Sequence, residues 1–231
     1  MFTDLEVTRF QNGVTNRPVG DIFNSLCTLD PTRFHTFFDD FDTYLAADWT
    51  VTEVGVATQA LADANGGRLL VTNAAADNDS SFSDKVGESF LFELGKKAFF
   101  RALFQVNDAT QSDFIMGLQI TDTTPLAVTD GVYFRKDDGD ALLDFLAIKN
   151  SVAVTATGIE TVVDATDLEV AFFWDGISRI WYGVNGSALG FIDPGASLPD
   201  DEVLTVSFGV QNGEAVAKTM AVDYIFAAME R

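Results

Sequence analysis

The sequence predicts an all-β protein, a two-sheet antiparallel β-sandwich behind an extended N-terminal arm. Three observations predict it. Apolar residues recur at every second position in run after run. Asn-Gly and Asp-Gly pairs punctuate those runs. No amphipathic segment of helix length lies between them, so consecutive strands pair antiparallel, and two sheets packed face to face bury one side of each.

In chain order, residues 1–35 come first and follow no sustained period of 2 or 3.6. They hold Pro18 and Pro31 and scatter Phe2, Leu5, Val7, Phe10, Val14, Ile22, Phe23, Leu26 and Leu29 among polar residues. A soluble disordered tail seldom carries so many large apolar groups. The segment therefore reads either as an arm ordered on a neighbouring subunit or as a flap folded over its own sandwich. The sandwich domain is assigned to residues 36–231.

From Phe37 onward the period is 2. Ser89–Leu94 and Ala98–Val106 read as paired strands joined by Gly95-Lys96-Lys97, with Phe100, Ala102, Phe104 and Val106 on one face and Arg101 and Gln105 on the other. Four more runs alternate in the same way: Phe114/Met116/Leu118/Ile120, Leu168/Val170/Phe172/Trp174, Leu204/Val206/Phe208/Val210 and Met220/Val222/Tyr224/Phe226. Asn65-Gly66, Asp130-Gly131, Asp138-Gly139, Asp175-Gly176, Asn185-Gly186 and Asn212-Gly213 supply turn residues tolerant of positive φ. About ten to thirteen strands are expected from this spacing.

A chain of 231 residues, 47% hydrophobic and with 21 phenylalanines, can fill one such core. Its net charge of −21 resides almost wholly on the body. That charge repels DNA, RNA and anionic lipid, so nucleic-acid and membrane partners are not expected. The single cysteine, Cys27, cannot form an intrachain disulfide. No apolar run reaches the roughly 20 residues that cross a bilayer, and the first residues lack a signal-peptide pattern, so synthesis in a cytoplasm is expected.

Few residues offer chemistry. Glu88-Ser89-Phe90-Leu91-Phe92-Glu93 has the outer glutamates of a Glu-x-Asp-x-x-Glu glycosidase pattern, but Phe90 replaces the central aspartate. The lone histidine, His35, has Asp39, Asp40 and Asp42 nearby in sequence, which favour a protonated imidazole. Cys27 has no second thiol or histidine near it in sequence. Asp137, Asp138 and Asp140, and Asp77 with Asp79, form acidic turns of the kind that bind calcium, without a distant bidentate glutamate. Of the tryptophans, Trp174 falls in register with core residues, Trp49 sits at a strand start, and Trp181 alternates onto an outer face where a sugar ring can stack. These residues predict no enzyme and no cofactor.

Three stretches carry a resemblance to concanavalin A-like (laminin G-like) jelly rolls. They are Phe37-Phe38-Asp39-Asp40-Phe41-Asp42-Thr43-Tyr44 with Asp48-Trp49-Thr50-Val51, then Val170–Gly186, then Met220-Ala221-Val222-Asp223-Tyr224-Ile225. Within that class, Thr110–Phe114, Gly131–Asp140 and Leu198–Gly209 resemble virion structural proteins of tailed bacteriophages. The resemblance implies a capsid cement (decoration) protein on the virion exterior. It would clamp neighbouring major capsid proteins as a homo-oligomer, with a trimer preferred. The leader would then be the anchor, through Phe2, Leu5, Phe10, Val14, Ile22 and Phe23 with Arg9 and Arg17. The alternative reading is a carbohydrate-binding, lectin-like module of a phage tail fibre or capsid surface.

Overall fold

The structure is a computed structural model that describes residues 32–64 and 66–231. The leader positions Phe2, Leu5, Arg9, Phe10, Val14, Arg17, Ile22 and Phe23, together with Cys27, lie outside the described residues.

Fifteen strands are described: β1 Phe34–Asp39, β2 Trp49–Val54, β3 Ala57–Ala62, β4 Arg68–Asn73, β5 Ser80–Lys85, β6 Ala98–Val106, β7 Ser112–Gln119, β8 Gly131–Lys136, β9 Leu142–Lys149, β10 Val152–Thr161, β11 Leu168–Trp174, β12 Ile180–Val184, β13 Ser187–Ile192, β14 Thr205–Asn212 and β15 Thr219–Glu230. The only helical pieces among the described residues are three 3₁₀ turns of three residues each. One sheet has the order β10-β9-β8-β7-β14-β5-β2, and the other β13-β12-β11-β6-β15-β4-β3, with β1 also paired to β15. Every pairing is antiparallel. The predicted all-β two-sheet sandwich is therefore the fold.

Between the sheets the alternating faces interdigitate into one phenylalanine-rich core. Phe172 stacks on Phe100 with centroids 5.3 Å apart, and Phe145 lies 5.7 Å from it. Trp174 is buried as its register predicts, and its indole N–H donates to the carbonyl of Glu93 at 3.1 Å. Trp49, the first residue of edge strand β2, plugs the core between Phe41 and Phe208.

Five expectations need correction. The strand count exceeds the expected range, because the β2–β3 pair is too rich in Thr, Ala and Gln to show a strong period. Ser89–Leu94 is not a strand. Only Phe90 makes a bridge, to Leu204, while Phe90 and Phe92 bury their rings in the core; β6 pairs instead with β11 and β15. Asn212-Gly213 is not a positive-φ turn: Asn212 ends β14, and neither residue has positive φ. Gly131 opens β8 rather than making a turn, since a Cβ there would lie 2.9 Å from the Leu118 carbonyl.

The fifth correction shapes the molecule's surface. The alternation expected through Met220, Val222, Tyr224 and Phe226 breaks where β15 shifts register between Val222 and Tyr224. Beyond that bulge Ile225, Ala227 and Met229 face the core, and Tyr224 and Phe226 turn outward.

Candidate functional site

The bulge in β15 adds an aromatic ring to the outer face of the eight-stranded sheet, where a row already stands. Phe191 on β13 pairs with Trp181 on β12, Trp181 with Phe173 on β11, and Phe173 with Phe99 on β6. Directly paired residues project to the same side of a sheet, so four rings stand in line across four strands. At about 4.8 Å per strand the row spans roughly 14 Å.

The row is buried at its centre and open at its ends. Phe99 and Phe173 are packed by Phe34, Trp181 and Phe226. Phe191 is 39% exposed, and Trp181 is half-buried with its ring 4.9 Å from that of Phe191. Phe226 contacts Phe99 at 5.8 Å and Phe38 at 6.4 Å, and Phe38 is 61% exposed.

Charged groups border the open end. The Arg179 guanidinium lies 4.1 Å over the Phe191 ring and 6.0 Å from Trp181, and it faces Asp193 at 3.4 Å. Farther along, Arg101 stands 5.3 Å over Phe99 and near Glu169, whose Oε2 accepts the Tyr224 hydroxyl at 2.7 Å. Flat apolar rings beside forked donors and carboxylates can hold a ligand with C–H faces and hydroxyl edges at once. Trp181 was legible as outward-facing from its alternation. Phe191, Phe173, Phe99 and Arg179 were not, because their alignment depends on registers between strands far apart in sequence.

The other predicted positions are dispersed. His35 hydrogen-bonds Ser89 Oγ at 2.9 Å and lies 4.9 Å from the Phe90 ring. Burial and the nearby Arg231 lower its pKa, so the expected protonated imidazole is corrected. Of the three aspartates near it in sequence, Asp39 instead accepts from the Phe41 N–H. Glu88 Oε1 accepts from the Thr121 N–H at 2.9 Å, whereas Glu93 pairs with Lys96, so the two glutamates serve different partners. Asp137 pairs with Arg135 at 3.1 Å, Asp140 caps the Leu142 N–H at 2.7 Å, and Asp79 caps the Ala76 N–H at 3.1 Å. Among the described residues no group of three or more His, Cys, Asp or Glu side chains is spaced to hold a metal ion.

The strand order and packing define a concanavalin A-like jelly roll, and solved structures agree. An endo-1,3-β-glucanase from Streptomyces sioyaensis superposes with a TM-score of 0.62 at 13% identity, over 87% of this chain and 98% of its own. A family 16 glycoside hydrolase of the mixed-linkage glucan locus of Bacteroides ovatus gives 0.61 at 10% identity, over 82% and 98%. The carbohydrate recognition domain of Emp46p, in its potassium-bound form, gives 0.54 at 8% identity, over 82% and 93%. No protein-family model matches the sequence. No curated protein matches it either.

These structures overturn the expectation of no enzyme. The fold is shared with glycoside hydrolases, and glycoside hydrolysis runs on carboxyl groups. A shortage of histidine and cysteine is therefore no argument against catalysis in a chain with 35 acidic residues.

Proposed function

We propose that the protein is a carbohydrate-binding jelly-roll module that grips a glycan on the outer face of the eight-stranded sheet. The observation that carries this reading is the aligned row ending in Trp181 and Phe191 under Arg179. Sugar rings would stack on the Trp181 and Phe191 faces, while Arg179 and Asp193 would engage hydroxyls. The jelly-roll neighbours include a carbohydrate recognition domain and glucan-degrading enzymes, which supports the same ligand class. A glycan array probed with the intact protein tests it, with hydrolysis of any bound glycan assayed alongside. Binding without turnover would support the module, turnover would extend it to an enzyme, and a blank array would refute it.

A capsid setting is the second reading, favoured by the resembling segments Gly131–Asp140 and Leu198–Gly209 and by the apolar leader. In it the sandwich would be displayed on a phage shell, anchored through the leader to the major capsid protein. Stoichiometric co-sedimentation with shells tests that setting; loss of occupancy on deleting residues 1–30 would locate the anchor.

A further inference from the structure

The outer face of the seven-stranded sheet is built on another plan. Residues 120–128, which include the 3₁₀ turn Pro125–Ala127, lie across it as a strap. Leu126 and Val128 of the strap pack against Phe82, Ile115, Tyr133 and Leu146 of the face. The Thr121 N–H donates to Glu88 Oε1 at 2.9 Å, and Gln119 Nε2 donates to the Pro125 carbonyl at 3.3 Å.

Asp84 occupies this face two residues beyond Phe82, opposite Ser207 on β14 and Thr50 on β2. It is 2% exposed, and its Oδ2 has no hydrogen-bond partner. The charged groups that bear on it are both acidic: Glu88, which holds the strap's Thr121, and Asp122 on the strap itself. Its strand neighbours Thr50 and Ser207 bring no charge, and Lys85 points to the other side of the pleat. Gln119, the strap's other tether, is also fully buried with Oε1 unpartnered.

A buried carboxylate with no cationic partner and two acidic neighbours is costly, and a buried carboxylic acid is not. We propose that the strap is a proton-controlled cover, closed over the face while Asp84 holds its proton and lifted when Asp84 ionises and takes up water. Burial, with a smaller push from Glu88 and Asp122, raises the Asp84 pKa to about 6 against the opposing Ser207 hydrogen bond. Opening therefore builds up between about pH 4 and pH 6. Lifting the strap moves one wall, Thr123–Ala127, of a groove of about 200 Å³ whose opposite side is Thr52, Val54, Phe82 and Gln211. The consequence is a second surface whose access depends on pH, independent of the glycan ledge.

Hydrogen exchange across residues 120–128 of the intact protein, corrected for the intrinsic pH dependence of exchange, tests the proposal. Strap opening should rise on the order of 100-fold between pH 4 and pH 7 and then level off, following the gap between the open and closed Asp84 pKa values. Asp84→Asn, which keeps the shape and removes the charge, should abolish that rise. Uniform protection in the wild type, or an unchanged rise in Asp84→Asn, would overturn it. Glu88→Gln with Asp122→Asn retains the strap's hydrogen-bond acceptors and guards against a folding failure of the first variant. It should move the midpoint to lower pH and shrink the rise, because the two charges that help raise the Asp84 pKa under the closed strap are gone, and an unmoved midpoint would likewise contradict the account.

Discussion

The two sheets present opposite solutions on their outward sides. The eight-stranded sheet leaves Phe38 and Phe191 open to water and Trp181 half-open, with Arg179 over the last two rings. The seven-stranded sheet packs Phe82, Ile115, Tyr133 and Leu146 against Leu126 and Val128 of residues 120–128, and Asp84 is buried on the same face. Both outward faces are aromatic, so composition does not separate them. What separates them is whether a connection crosses the face. Apolar groups that a protein covers from within stabilise its fold, whereas an aligned row left open is available for a ligand.

Paired truncations sharpen that contrast most. Phe82→Ala, on the covered face, should cost about 3–5 kcal/mol in chemical denaturation. Phe191→Ala, on the open face, should cost less than about 1 kcal/mol, because much of the ring already meets solvent. Similar losses for the two would erase the distinction.

The next effect in size concerns Asp84. The folded chain keeps a proton on it up to about pH 6, whereas the unfolded chain releases it near 3.8, the ordinary value for an aspartate. The folded state therefore binds more protons between those values, and stability falls as pH rises through the window. Asp84→Asn should be more stable than wild type by up to about 3 kcal/mol at pH 8 and should lose that advantage at pH 4. A constant difference across pH would remove Asp84 as the titrating group. Smallest is the Arg179→Lys exchange, which keeps charge but loses the planar stacking fork; it should weaken glycan binding severalfold while leaving the melting temperature unchanged.

How much of this was legible in the sequence follows from which facts are local. Strand period is local, so the core faces of β6, β7, β11 and β14 and the burial of Trp174 could be read directly. The Asn185-Gly186 turn, with both residues at positive φ, was equally plain. Register is not local. The line Phe191–Trp181–Phe173–Phe99 needs three pairings, one of them between strands some seventy residues apart. The outward turn of Phe226 depends on a bulge that strict alternation conceals. The strap, a polar-looking Thr-Asp-Thr-Thr-Pro segment, gave no sign that it covers a face. For His35, nearness in sequence suggested carboxylates as neighbours, while the fold supplied Ser89, Phe90 and Arg231.

The most direct trial of the glycan ledge is a side-by-side glycan array and melting curve of the wild-type protein and Trp181→Ala. The account predicts at least one bound glycan class, a loss of about tenfold or more in affinity for the variant, and a cooperative melting transition retained at a somewhat lower temperature, since half of the ring is packed. A glycan held equally well by both proteins would contradict it.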